Sequence, residues 1–111
     1  MTATASVLDA QIKCATALRR LGGRARRDQL AAPCWVISDL APILSGQIIA
    51  DGLTDLESAV NRWAWALGTT VKADEFGGRP RIKAEKTHPT GADVVVWAYL
   101  SATPNDTNEG A

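Results

Sequence analysis

Apolar residues along the chain change their spacing from segment to segment, and each spacing predicts an element. From about Ala5 to Leu21, Leu8, Ile12, Ala15 and Leu18 recur at steps of four, three and three, the period of one helical face. Gly22-Gly23 supplies a stop, because glycine past a last turn adopts the left-handed cap conformation without a side-chain clash. "RARRDQLAAP" follows as a short amphipathic turn or helix closed by Pro33, and "CWVI" as one brief strand. Ser38-Asp39, with Pro42 inside the first turn, predicts a short helix over Ser38 to Leu44 that buries Leu40, Ile43 and Leu44.

The second half is patterned more sharply. Thr54-Asp55-Leu56-Glu57 has the form of a capping box and predicts a helix from Asp55 to Leu67, stopped by Gly68. On a wheel of 100° per residue, Leu56, Val60, Trp63 and Leu67 form an inner face, and Ser58, Asn61, Arg62 and Trp65 an outer one. "TTVKADEF" and "DVVVWAYL" carry β-branched and aromatic residues suited to strands. Between them "GGRPRIKAEKTHPTGA" is expected to be a long hairpin loop, and residues 101–111 a disordered polar tail. The expected fold class is therefore α+β: one domain over residues 1–100, helical for two-thirds of its length and then a β-hairpin.

Composition narrows the function classes. The 111 residues are 46% apolar and 22% charged, as in an ordinary globular domain. Cys14 and Cys34 have no CxxC spacing, and His88 is the only histidine, so neither a zinc site nor a redox pair is expected. No P-loop, dinucleotide fingerprint or metal spacing is present, which predicts a non-enzyme without a cofactor. No apolar run approaches a membrane span, and a cytoplasmic location is the default.

The formal net charge of zero conceals a segregated distribution. Residues 1–50 hold six Lys/Arg against three acids, residues 51–76 two against five, and residues 77–100 four against two. Attraction for phosphate acts over a screening length of roughly 8 Å, so a locally basic surface matters more than the sum.

The order of helices followed by a basic hairpin, together with "ALRRLGGRARRDQLA" at Ala17 to Ala31, resembles the winged helix-turn-helix family of DNA-binding domains. Two registers are open for the second helix of such a motif, Arg27 to Ala32 or Ser38 to Leu44, and the second leaves "CWVI" as the family's first short strand. The resemblance implies a regulator or accessory protein bound to double-stranded DNA, with residues 55–67 as recognition helix and 77–92 as wing. Ser58, Asn61, Arg62 and Trp65 would then face the duplex, and Arg79, Arg81, Lys83 and Lys86 would form the wing contacts. Gly78-Arg79-Pro80-Arg81 is also similar to the core of the AT-hook, whose arginines enter the narrow minor groove.

A second class competes. A small protein-binding module or inhibitor, of phage type or as a homodimer, would use Trp65 and Trp35 with Arg62 as interface anchors, since aromatic residues and arginine are enriched at such hot spots. Either class requires an exposed surface where cations and aromatic rings meet.

Overall fold

The structure, a computed structural model, describes residues 2–38, 41–49 and 55–100, with side chains from Val7 onward. Helix α1, Thr2–Asp28, is longer than its periodicity predicts. It faces the core with Ala10, Cys14, Ala17 and Leu21, all buried, while Leu8 and Ile12 stand 53% and 62% exposed. Small residues decide the orientation, because they let the helix axis approach a sheet closely where the larger Leu8 and Ile12 would hold it away. Of the expected apolar face, Leu8, Ile12 and Ala15 are thus turned outward and Leu18 packs against the core.

Gly22-Gly23 does not stop the helix. Its end lies at Gln29, whose φ of 54° is left-handed, and the Leu30 N–H donates to the Ala25 carbonyl at 2.9 Å. Arg24 pairs with Asp28 one turn on, at 2.6 Å. Glycine in a helix interior costs about 1 kcal/mol relative to alanine, and a Cβ at Gly22 would meet nothing within 4 Å. Gly22→Ala is therefore expected to raise stability by about 0.5–1 kcal/mol, or roughly 3–6 °C in Tm by thermal denaturation.

Five strands form one sheet: β1 Cys34–Ile37, β2 Ile43–Gln47, β3 Val71–Phe76, β4 Arg79–Thr87 and β5 Asp93–Tyr99. Their spatial order is β1-β2-β5-β4-β3, antiparallel throughout except that β2 runs parallel to β5. Alternate residues Leu44, Ile82, Ala84, Val94, Val96 and Ala98 are buried on one face. Against them lie α1 and helix α2, Leu56–Leu67, which contributes Val60 and Trp63. Both helices thus cover the same side of the sheet. Trp63 is fully buried, its ring edge-on to Trp35 at 5.8 Å and its Nε1–H donating to the Ala31 carbonyl at 2.8 Å. Gly46 is required where it stands, since a Cβ there would come within 2.8 Å of Pro33 and Trp35.

Several expectations are corrected. "RARRD" belongs to α1. Residues expected to form the short helix Ser38 to Leu44 include the start of β2 at Ile43, and Asp39 and Leu40 lie outside the described residues. Thr54 and residues 101–111 also lie outside them. Asp55 is the cap of α2, its carboxylate accepting from the Ser58 N–H at 3.2 Å.

The largest correction concerns the hairpin. Gly77 and Gly78, with φ of 61° and 79°, make a two-residue turn closed by the Phe76–Arg79 pair. Nine of the sixteen residues expected to form a long loop are instead strand β4, and residues 88–92 make the connection to β5. Alternation was masked there by charged residues on the uncovered face. The chain is α+β, but two helices on one face of a five-stranded mixed sheet replace the winged helix-turn-helix arrangement, and there is no wing at 77–92.

Candidate nucleic-acid interface

The eight residues singled out by sequence do not share one surface. Pleating puts Arg79, Arg81 and Lys83 on the sheet face away from the helices, whereas Lys86, in register with the buried Val94, points to the helical side. Ser58, Asn61, Arg62 and Trp65 lie on the outer surface of α2, across the molecule from the three strand cations.

On α2 the polar side chains have structural partners. Arg62 donates from both terminal nitrogens to the last carbonyls of α1, Asp28 at 2.7 Å and Gln29 at 3.2 Å. These oxygens have no partner within their own helix, so a guanidinium both satisfies them and complements the negative helix end. Asn61 donates to the Glu57 carbonyl at 2.9 Å. Trp65 differs, being 72% exposed with the Arg24 guanidinium 5.8 Å from its ring centre.

Arg24 leads to a cleft of about 420 Å³ between α1, the end of α2 and the β4–β5 connection. Arg20, Arg24 and Arg27 line it from α1, Lys86 and His88 from the opposite wall, and Leu21, Leu67 and Val94 supply apolar ground. No aspartate or glutamate is among its lining residues. At positions i, i+4 and i+7 the three arginines fall within roughly 60° on the helix and span about 10 Å of its axis. Lys13, a further seven residues back on the same stripe, lies alongside Gly91 of the connection.

His88 accepts the Thr90 N–H at Nδ1, 3.2 Å away. Burial, and after it the charge of Arg20, lowers its pKa below the ordinary value of 6.5. The neutral ring therefore carries its proton on Nε2 and is a donor, with a further positive charge gained on acidification. Lys86 reaches the Gly68 carbonyl at 3.5 Å.

The other face of the sheet has a different chemistry. Asp74 accepts from Arg81 at 2.7 and 3.2 Å and from Lys83 at 3.0 Å. Those hydrogen bonds, first from Arg81 and then from Lys83, bring its carboxyl from 3.8 down to about 2. The Arg81 guanidinium lies over both Phe76 and Trp97, 4.9 and 5.0 Å from their ring centres, and Arg79 covers Tyr99 at 3.7 Å. Here the cations are neutralised or stacked, as Arg24 is by Asp28 and Trp65, whereas Arg20, Arg27 and Lys86 of the cleft have no carboxylate partner among the described residues.

Linkage gives this cluster a pH signature. A carboxyl lowered on folding adds stability above its unfolded pKa near 3.8, and that contribution disappears as pH falls to about 2. Asp74→Asn is expected to be less stable than the wild type at pH 7 and to converge with it near pH 2. Urea titrations at pH 7, 4 and 2 measure this, and parallel curves for the two proteins would show no net contribution from the cluster.

Of the sequence candidates, the structure brings Lys86 into the cleft and Trp65 to the side of Arg24. Arg20, Arg24 and Arg27 were not among the sequence candidates. Their 20-24-27 spacing is the signal that finds them, once α1 is continuous.

Among the described residues no group of three His, Cys, Asp or Glu side chains could hold a metal ion, and no helix is long and apolar enough to cross a membrane. Comparison with protein-family models, curated proteins and solved structures finds no match for this chain.

Proposed function

We propose that the protein binds double-stranded DNA by its backbone, through the cleft formed by Arg20, Arg24, Arg27, Lys86 and His88, in a regulatory or accessory role in the cytoplasm. The observation that carries this reading is the convergence on one cleft of four permanent cations and a histidine, with one carboxylate, that of Asp28, paired to Arg24 at its edge. A neutral chain gains phosphate affinity only by such local concentration.

Geometry favours a regular phosphate ladder. The arginines are held at fixed spacing along about 10 Å of a helix, facing a duplex that carries one charge per roughly 1.7 Å of its axis. Trp65 is the one large exposed ring beside them, whereas a single strand is usually gripped by several stacking rings. The contacts are to phosphate, so binding is of low sequence specificity.

Electrophoretic retardation of a generic duplex at low salt tests the proposal, with an equal length of single strand as competitor. The duplex is expected to be retained and the single strand to compete poorly. Failure to retain the duplex at low salt would overturn the reading.

A further inference from the structure

The uncovered face of the sheet remains without a role in DNA binding. We propose that it is the interface of a homodimer, two copies packing sheet against sheet, independently of the cleft. Its side chains include Val36, Ile43, Val95, Trp97, Tyr99 and Phe76, assigned to this face by register and alternation. Val36 and Phe76 are 64% and 55% exposed. An antiparallel sheet can leave one side to water, but that side is then normally polar.

Three observations select a second copy of this chain. The face is rich in the residue types that anchor protein interfaces, Trp97, Tyr99, Phe76, Arg79 and Arg81. Several of its polar groups are already paired within the chain: Asp74 holds Arg81 and Lys83, Glu85 lies 3.5 Å from Lys83, and Trp97 donates to Ser45 at 3.0 Å, while Lys72 at the β3 edge stays exposed. Arginines already lie over Tyr99, Phe76 and Trp97, so part of the ring surface that would stack on nucleobases is taken up within the chain.

Size and symmetry agree. Five strands about 4.8 Å apart, and about 24 Å along the central strand, give roughly 500 Å² in projection, which side-chain relief brings toward the ~800 Å² per partner of a standard interface. In a two-fold pair every contact occurs twice, so the face must suit itself. An axis parallel to the strands above β5 exchanges the lateral halves of the sheet. It sets the cations of β3–β4 over the uncharged β1–β2 half, with Val36, Ser45 and Gln47, and not over their own copies. The helices and both basic clefts remain on the outside.

Sedimentation equilibrium of the full chain over about 1–100 µM tests this proposal, with Val36→Glu, Phe76→Glu and Trp65→Ala as variants. The wild type and Trp65→Ala are expected to approach twice the 11.8 kDa chain mass, and both glutamate variants to remain at the monomer mass with folded circular-dichroism spectra. Alkylation of Cys34 gives a second readout that needs no substitution, because Cys34 is exposed on the same face and Cys14 is buried. Its rate should fall several-fold as the wild type associates. A chain that stays monomeric, a dimer that survives both glutamates, or a Cys34 rate independent of concentration would overturn the proposal. So would a monomeric wild type that retains a single-stranded oligonucleotide and loses it on Phe76→Glu, which assigns the face to nucleic acid.

Discussion

Trp63→Ala is expected to destabilise the domain by about 3–5 kcal/mol, the range for removal of a large aromatic side chain from a packed interior. Trp63 is 0% exposed and stands where α2, β1 and the segment after α1 meet. Its loss leaves a cavity beside Trp35 and deprives the Ala31 carbonyl of its indole donor, so packing and polar terms act in the same direction. Against a typical total of about 5–15 kcal/mol, this brings the domain close to unfolding at ambient temperature. A denaturant titration measures it, and a loss under about 1 kcal/mol would mean that Trp63 does not organise the core. Trp65→Ala, two residues away on the outer surface, should change stability by less than about 0.5 kcal/mol.

The second large effect is on DNA binding. Replacing Arg20, Arg24 and Arg27 together by alanine is expected to weaken duplex affinity by about 10²-fold or more at low salt, since each lost phosphate contact also forfeits counterion release. The fold should tolerate the change: alanine is a good helix former, and the Arg24–Asp28 surface pair is worth only a few tenths of a kcal/mol. The triple variant should therefore melt near the wild type while losing the duplex in a fluorescence-anisotropy titration. Arg79→Ala, on the opposite face, is the matched control and is expected to retain affinity within about twofold at low salt. Equal losses from both would place the contacts elsewhere.

β1, β3, β5 and α2 were legible because local signals and tertiary environment agree there. The alternation of "DVVVWAYL" matches one covered and one uncovered face, and the inner set Val60 and Trp63 is buried as its period predicts. Gly22-Gly23 misled because propensity is a weak local preference. Two glycines cost a helix about 2 kcal/mol, which its packing and the cap from Arg62 offset. The same error hid the cleft, because Arg20, Arg24 and Arg27 align only on a helix that continues past Gly23.

Leu8 and Ile12 misled differently, since size ranked them as core while closeness of approach favoured Ala10, Cys14 and Ala17. β4 was hidden by Pro80 and the charges on its uncovered side. The partner strands β3 and β5 that order it are set by tertiary pairing, which no local pattern contains.

The salt dependence of duplex binding by the wild-type chain tests the central claim most directly. Four phosphate contacts, from Arg20, Arg24, Arg27 and Lys86, predict a slope of log affinity against log salt near −3.6, or about a 10²-fold loss between 50 and 200 mM. The same titration of the triple arginine variant should give a slope near −0.9. A wild-type slope near zero, or one left unchanged by the three substitutions, would contradict the account.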